Sequence, residues 1–442
     1  MGKMSDFFNL TSLETNWRTE ILAGLTTFMT MAYIIFVNPA ILSTAGMDFG
    51  AVMVATCLAT AISTILMGIF TNYPIALAPG MGMNAYFAYT VCIGMGIPWQ
   101  VALGCIFIEG VIFIFLTLSR IRQMIFDAIP QTLRIAVACG IGLLIAFVGL
   151  KETGLIVAHP ATLVTLGKIT TPYTLLSLLG LLITSLFLIK KIKGGIFLGI
   201  IITAILGIPL GIVKYRGLIS LPPSIYPTLL KLDIFGAFKL GFLTIIFTFL
   251  FMDVFDTVGT LAGVGEIGGF IREGKLPRAG RCLFVDALGT VLGSLLGVST
   301  VTSYIESISG ISEGGRSGLT SVVVGLLFLI SLFFYPFTRM IGGGYEVIPG
   351  VVLHPVTAPA LIIVGALMFL SITKIDWRDY AEAVPAFLVI IIMPLTFSIA
   401  NGLAIGFVSY TVIKLLSGRG REVSLLVYLL SIFFILKFAF IK

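Results

Sequence analysis

The sequence predicts an all-α polytopic membrane protein: about fourteen transmembrane helices arranged as two inverted seven-helix repeats, with short extended segments interrupting spans 3 and 10. Three observations carry this. Of the 442 residues, 58% are hydrophobic and 11% charged, with mean hydropathy +1.13, where an average soluble domain carries about 25% charged residues. Apolar runs of about 17 to 25 residues, the length that crosses a bilayer, recur from Ile21 to Ile441 and leave almost no chain for a soluble domain. The second half of the chain echoes the first at an offset near 221, as in Thr27–Met31 against Thr248–Met252, where 248 − 27 = 221. Seven spans per half is odd, so the halves cross the membrane in opposite senses, as in secondary transporters with a midplane site between discontinuous helices.

Residues 1–20 precede the first long apolar run, with a short interfacial helix expected over residues 5 to 17 and Trp17 and Arg18 at the membrane surface. That first run, too long for a signal h-region, starts the chain as a span. Spans are placed at 21–43, 50–70, 74–95, 98–119, 130–150, 172–189, 195–213, 240–264, 282–296, 298–314, 318–337, 354–373, 382–398 and 400–416. With the N-terminus cytoplasmic, Arg120/Arg122, Lys190/Lys191/Lys193, Arg272/Lys275/Arg278/Arg281, Arg316, Lys374/Arg378 and Arg419/Arg421 share the inner side, and Lys214/Arg216 and Arg339 are the exceptions. The net charge of +7 is thus topological: nothing forms a basic stripe for nucleic acid. The apolar helix of 423–442 follows a basic turn and is expected to be either a fifteenth span or, as the favoured reading, a peripheral helix lying along the surface. Cys57, Cys92, Cys105, Cys139 and Cys282 stand singly and read as core hydrophobes.

Both interruptions are visible as residues. Tyr73–Asn84 holds Pro74, Pro79, Gly80 and Gly82 where a helix would run, so its first half is expected to be extended and its helix to start near Gly82. Val298–Ser303 (VSTVTS) is small or β-branched, and a helix starting at Ser303 or Tyr304 puts Glu306 in its first turn, where free N–H groups favour an acidic ligand reader. The competing reading is that Glu306 only caps that helix. The two extended segments can pair across the pseudo-twofold axis, and Asn84, 222 residues before Glu306, is expected to be its repeat-mate.

Asp253 and Asp256 in FMDVFDTVGTL lie at i and i+3, facing one interior surface with Thr257 and Thr260. Two carboxylates so close in a low-dielectric site cannot both ionise cheaply, which is a proton-carrier arrangement. Asp256 is expected to carry the proton more cleanly than Asp253. Asp286 extends the acidic set, with interhelical hydrogen bonding as its plainer role, and Glu109 reads as a packing carboxylate. SEGGRSG around Glu313 reads as the inner end of span 10. His159 and His354 have no second ligand at metal spacing, so no metal or other cofactor is expected. GMGMN lacks the GK[ST] of a phosphate loop. No nucleophile–base pair or HExxH supports an enzyme.

NWRTEILAGLTTFMTMAYIIFVNPAIL, ALAPGMGMNAYFAY, FMDVFDTVGTL, TSYIESISGISEGGRSGLT and IDWRDYAEAVPAFLVIIIMPLTFSIANG, in that order from Asn16 to Arg421, resemble the AzgA-like purine permeases of the nucleobase:cation symporter-2 superfamily. The resemblance implies a core domain of spans 1–4 and 8–11 (21–119 and 240–337), a gate domain of spans 5–7 and 12–14 (130–213 and 354–416), a homodimer, and import of purine bases with protons across the cell membrane. It matches Glu306 to the tenth-span substrate carboxylate, Asp253 or Asp256 to the eighth-span acid, Asn84 to the third-span polar residue and Asp286 to the ninth-span acid. The substrate site is expected to gather Glu306, Asp253, Asn84, Tyr304, Gly82, Phe251 and Thr30, and proton coupling to use Asp256, Asp253 and Asp286. Phe28, Tyr33, Phe87, Phe251 and Tyr304 supply faces for a planar base. Guanine and hypoxanthine are the expected substrates, with an adenine permease as the alternative. An anion carrier of the same fold is the rival, against which the acidic site would repel its substrate.

Overall fold

The computed structural model describes residues 6–119, 129–238, 243–271, 276–348 and 351–440. Arg120, Arg122, Arg272 and Lys275, and the predicted start of the second core stretch at 240, lie outside the described residues. Among the described residues, nine helices are long and apolar enough to cross a bilayer, and four shorter apolar helices accompany them. Three of the short ones serve as spans 7, 12 and 13, and the two broken spans complete fourteen.

Span 1 starts at Trp17, where the Asn16 side chain accepts from the N–H groups of Arg18 and Thr19. It is jointed: Trp17–Met31 ends and Ile34–Ser43 begins across Ala32 and Tyr33. The interfacial helix expected over 5 to 17 does not form past residue 7, because Asn9 (φ 54°) and Glu14 (φ 52°) take left-handed conformations that close turns instead. Phe8 and Leu10 bury themselves against Leu319.

Span 3 follows the proline signals. Its extended strand β1 (Leu77–Pro79) leads into a helix over Met81–Ala85 that widens into a π-helix over Tyr86–Gly94, which the sequence did not announce. A hairpin of β2 (Ile156–His159) and β3 (Leu163–Leu166) links spans 5 and 6. In span 10, β4 (Val301–Ser303) precedes a helix of only six residues, Ser307–Ser312. A second hairpin, β5 (Tyr345–Ile348) and β6 (Val351–Leu353), links spans 11 and 12.

β1 and β4 pair antiparallel, Leu77 with Ser303, Ala78 with Thr302 and Pro79 with Val301. The ladder extends by Gly80 N–H to the Thr300 carbonyl and Tyr304 N–H to the Ala76 carbonyl, both 2.9 Å. A midplane strand has no water to satisfy its outer edge, so side chains do it. Thr64 of span 2 accepts from the Leu77 N–H and donates to the Leu77 carbonyl, and Thr290 of span 9 donates to the Val301 carbonyl, each at 2.9 Å. The ladder also carries the internal symmetry: its three pairs relate the halves by 303 − 77 = 226, 302 − 78 = 224 and 301 − 79 = 222, the last of which is the offset between Asn84 and Glu306.

Spans 1–4 and 8–11 pack together around this ladder, and spans 5–7 and 12–14 form a second group beside it. Glycines permit the tightest crossings. A Cβ on Gly318 would run into the Gly68 carbonyl where spans 11 and 2 cross, and one on Gly365 into the Gly142 carbonyl where the repeat-mates 12 and 5 cross. Gly318→Val is expected to destabilise the protein by about 1–3 kcal/mol, read as an earlier melting transition in detergent, because the obstacle is backbone and cannot rotate away.

The C-terminal helix, Leu425–Phe440, does not lie along the surface. It runs back along span 14, with Ser431 donating to the Phe407 carbonyl at 3.0 Å and meeting Thr411 at 2.7 Å. Its turn is held by a charge cluster. Lys414 is fully buried between Glu382 (2.6 Å) and Glu422 (2.7 Å). Arg419 bonds Asp379 and Glu422, which holds Asp379 below the usual carboxylate range and, with Lys414, brings Glu422 to about 2. Both carboxylates are lowered, so this support persists through neutral pH and is lost only as pH falls from about 4 towards 2.

Candidate functional site

The site begins where β4 ends. Tyr304, Ile305 and Glu306 turn the chain, and Glu306 becomes the residue preceding the short helix rather than a member of its first turn. A turn at Ile305 and Glu306, inserted between the strand and the helix, causes the shift. Glu306 stands at the N-cap position but its carboxylate makes no capping bond, meeting its own backbone N–H and Tyr33 instead. It is turned across to span 1, where the Tyr33 hydroxyl donates to Oε1 at 2.9 Å. Thr30, one turn earlier, bonds its own helix through the Thr27 carbonyl (2.8 Å) and reaches the Glu306 carbonyl at 3.5 Å. Tyr304 is committed elsewhere: its hydroxyl donates to the Pro79 carbonyl at 2.6 Å, tying the two broken spans together.

A second cluster lies behind the first. The Thr257 hydroxyl is 2.9 Å from Asp253 Oδ1, 2.9 Å from Asp286 Oδ2 and 2.9 Å from the Thr302 hydroxyl. Ser303 reaches Asp286 at 3.4 Å. Asp253, Thr257, Asp286 and Thr302 are all buried. One hydroxyl carries one proton, so Thr257 cannot donate to both carboxylates at once. Asp253 belongs to the Thr257–Asp286 knot, while Asp256, half-buried, meets the Thr302 hydroxyl and is in electrostatic contact with both Asp286 and Glu306. Thr302 thus touches Thr257 on one side and Asp256 on the other.

Three further residues of the expected substrate set have neighbours outside the Glu306 cluster. Asn84 is buried and receives the Ser299 hydroxyl, bracing the approach to β4. Phe251 packs edge-on to Phe407 of span 14 at 5.3 Å and to Phe255 at 4.4 Å, at the contact between the two span groups. Gly82 puts backbone against span 5, since a Cβ there would meet Ile141 at 2.7 Å. Glu109 is buried and accepts from Thr300 at 2.9 Å, next to the ladder. Thr302, Ser303 and Thr300 were not singled out from the sequence, though the hydroxyls of VSTVTS were its signal: a strand with no water around it uses them for bonding.

Away from the site, Glu313 pairs with Lys193, placing the loop between spans 6 and 7 on the same side of the membrane as the end of span 10. Buried Glu152 and His354 meet at 3.0 Å, joining the end of span 5 to the start of span 12.

A family model described as Permease family matches residues 18–405. The adenine permease AdeP of Escherichia coli is 46% identical over 441 residues, covering 100% of this chain and 97% of its own. The guanine/hypoxanthine permease PbuG of Bacillus subtilis is also 46% identical, over 99% of this chain and 100% of its own. Among solved structures, the transmembrane domain of the cyanobacterial bicarbonate transporter BicA superposes with a TM-score of 0.66 over 88% of this chain and 97% of its own, at 16% identity, which is a likeness of fold. With both halves interrupted at paired strands and full-length identity to purine permeases, the chain belongs to the nucleobase:cation symporter-2 family of membrane permeases.

Proposed function

We propose that this permease imports purine bases, guanine and hypoxanthine before adenine, by proton symport across the cell membrane with its N-terminus in the cytoplasm. The observation that carries the reading is the gathering of Asp253, Thr257, Asp286 and Thr302 in one buried hydrogen-bonded set beside Asp256, which is in electrostatic contact with the Tyr33-bound Glu306. A purine presents ring N–H donors that a carboxylate accepts, which gives Glu306 the substrate and Asp256 the flank beside it. The buried Asp253–Thr257–Asp286 knot is the proton site. Spans 1–4 and 8–11 form the substrate-bearing core and spans 5–7 and 12–14 the gate, in a homodimer. An acidic site of this kind disfavours anions.

The experiment is uptake of labelled hypoxanthine into cells lacking their own purine permeases, competed by unlabelled guanine, adenine, xanthine, uracil and bicarbonate. Competition by purines alone is expected. Competition by bicarbonate with indifference to purines would reject the reading.

A further inference from the structure

We propose that Thr90 with Phe397, and Glu313 with Lys193, are paired latches, one at each membrane face, that release in turn as the two span groups move past one another. The inference rests on the chain working as a permease with a cytoplasmic N-terminus, and not on which base it carries. Thr90, near the end of span 3, donates to the Phe397 carbonyl at 2.5 Å, in the joint between spans 13 and 14. Glu313, at the end of span 10, pairs with Lys193 in the joint between spans 6 and 7. Each contact thus runs from a broken span of one group to a helix joint of the other. Spans 3 and 10 stand seven apart, so their ends reach opposite faces, Thr90 the outer and Glu313 the inner.

The contacts are images of each other under the internal repeat. Thr90 and Glu313 differ by 313 − 90 = 223, within the 222 to 226 given by the ladder pairs. Lys193 lies two residues before span 7, which begins at Gly195, and Phe397 lies two before span 14, which begins at Ile399. A residue with a side chain turns each joint in the left-handed conformation, Lys191 at φ 54° and Phe397 at φ 48°. Such backbone persists only where its surroundings hold it. The β1–β4 ladder ties spans 3 and 10 into one piece, so a displacement that loosens one contact carries the other end further onto its joint. With both contacts made, neither path is open. Loss of the inner contact then favours the state open to the cytoplasm, and loss of the outer contact the state open to the outside.

The test places a reporter thiol on the inner path. Ser309 is half-buried and lies three residues after Glu306 and four before Glu313, on the helix face they share. Labelling of Ser309→Cys by a membrane-impermeant maleimide is followed in inside-out vesicles, with the native chain as background, since its five cysteines are buried. Adding Glu313→Gln, or separately Lys193→Gln, is expected to raise the labelling rate about two- to fivefold, the size an exposed ion pair supports. Adding Thr90→Val, which keeps the shape and removes the hydroxyl, is expected to leave that rate level or lower it. An unchanged rate in both inner variants overturns the proposal. So does a rise with Thr90→Val equal to that with Glu313→Gln, because a merely structural role loosens the protein at either end alike. Should Ser309→Cys fail to reach the membrane, Met29→Cys on span 1, against which Gly194 of the same joint is packed, takes its place. The labelling is read without substrate, so failure of purine uptake rejects the proposed function and leaves this comparison standing.

Discussion

Glu306→Gln is expected to cut purine uptake about 10- to 100-fold while the protein still reaches the membrane, the loss of a charge-assisted acceptor worth about 1.5–3 kcal/mol. The geometry explains why an amide of the same shape does not serve. Its oxygen can still receive the Tyr33 hydroxyl, as Oε1 does at 2.9 Å. The other position is then an NH₂ group, a donor where the carboxylate offered the purine's donor an acceptor. Because the side chain makes no capping bond, the substitution removes no cap and folding is spared. Labelled hypoxanthine uptake, normalised to surface protein, reads the result, and wild-type transport by this variant would remove Glu306 from the site.

The second large effect concerns coupling. Asp253→Asn is expected to retain exchange of purine across the membrane and to lose accumulation against a gradient, because the amide fixes the knot in a permanently neutral state. Asp256→Asn is expected instead to weaken purine affinity, since Asp256 flanks Glu306. The Thr257 bridge couples Asp253 to Asp286, and Asp256 is in electrostatic contact with Asp286 and Glu306, so a retained accumulation in Asp253→Asn with loss in Asp256→Asn would return the proton to Asp256. Reconstituted liposomes with pH and sodium gradients imposed separately give the measurement. Accumulation should follow the inward proton gradient and collapse with a protonophore; accumulation that follows sodium and ignores pH would make these aspartates cation ligands.

Much of this was legible in the residues. Pro74, Pro79, Gly80 and Gly82 cannot continue a helix, and VSTVTS cannot bury a helical stripe, so the paired strands of spans 3 and 10 could be read in advance. The span list was legible because each run is bounded by charge or turn residues. The symmetry offset was legible only to within a few residues, since similarity in an apolar chain slips by two or three residues at no cost, and the antiparallel pairs themselves span 222 to 226. The i, i+3 spacing placed Asp253 and Asp256 on one helix face but held no information on which neighbour each would meet, because Thr302 and Tyr33 arrive from spans distant in sequence. Lys414 was equally hidden: a lysine near the end of an apolar run looks interfacial until Glu382 and Glu422 close over it.

The β1–β4 ladder has one more consequence. Its three residue pairs, with two further backbone bonds and the threonines on its outer edges, bind the starts of both short helices into one piece. A slip by one residue would turn every side chain of a strand to the opposite face, so the ladder has no small motion available to it. Glu306 therefore cannot swing towards either membrane surface by itself; it travels only with span 3. Any change of access at Glu306 has to move the strands of both broken spans together.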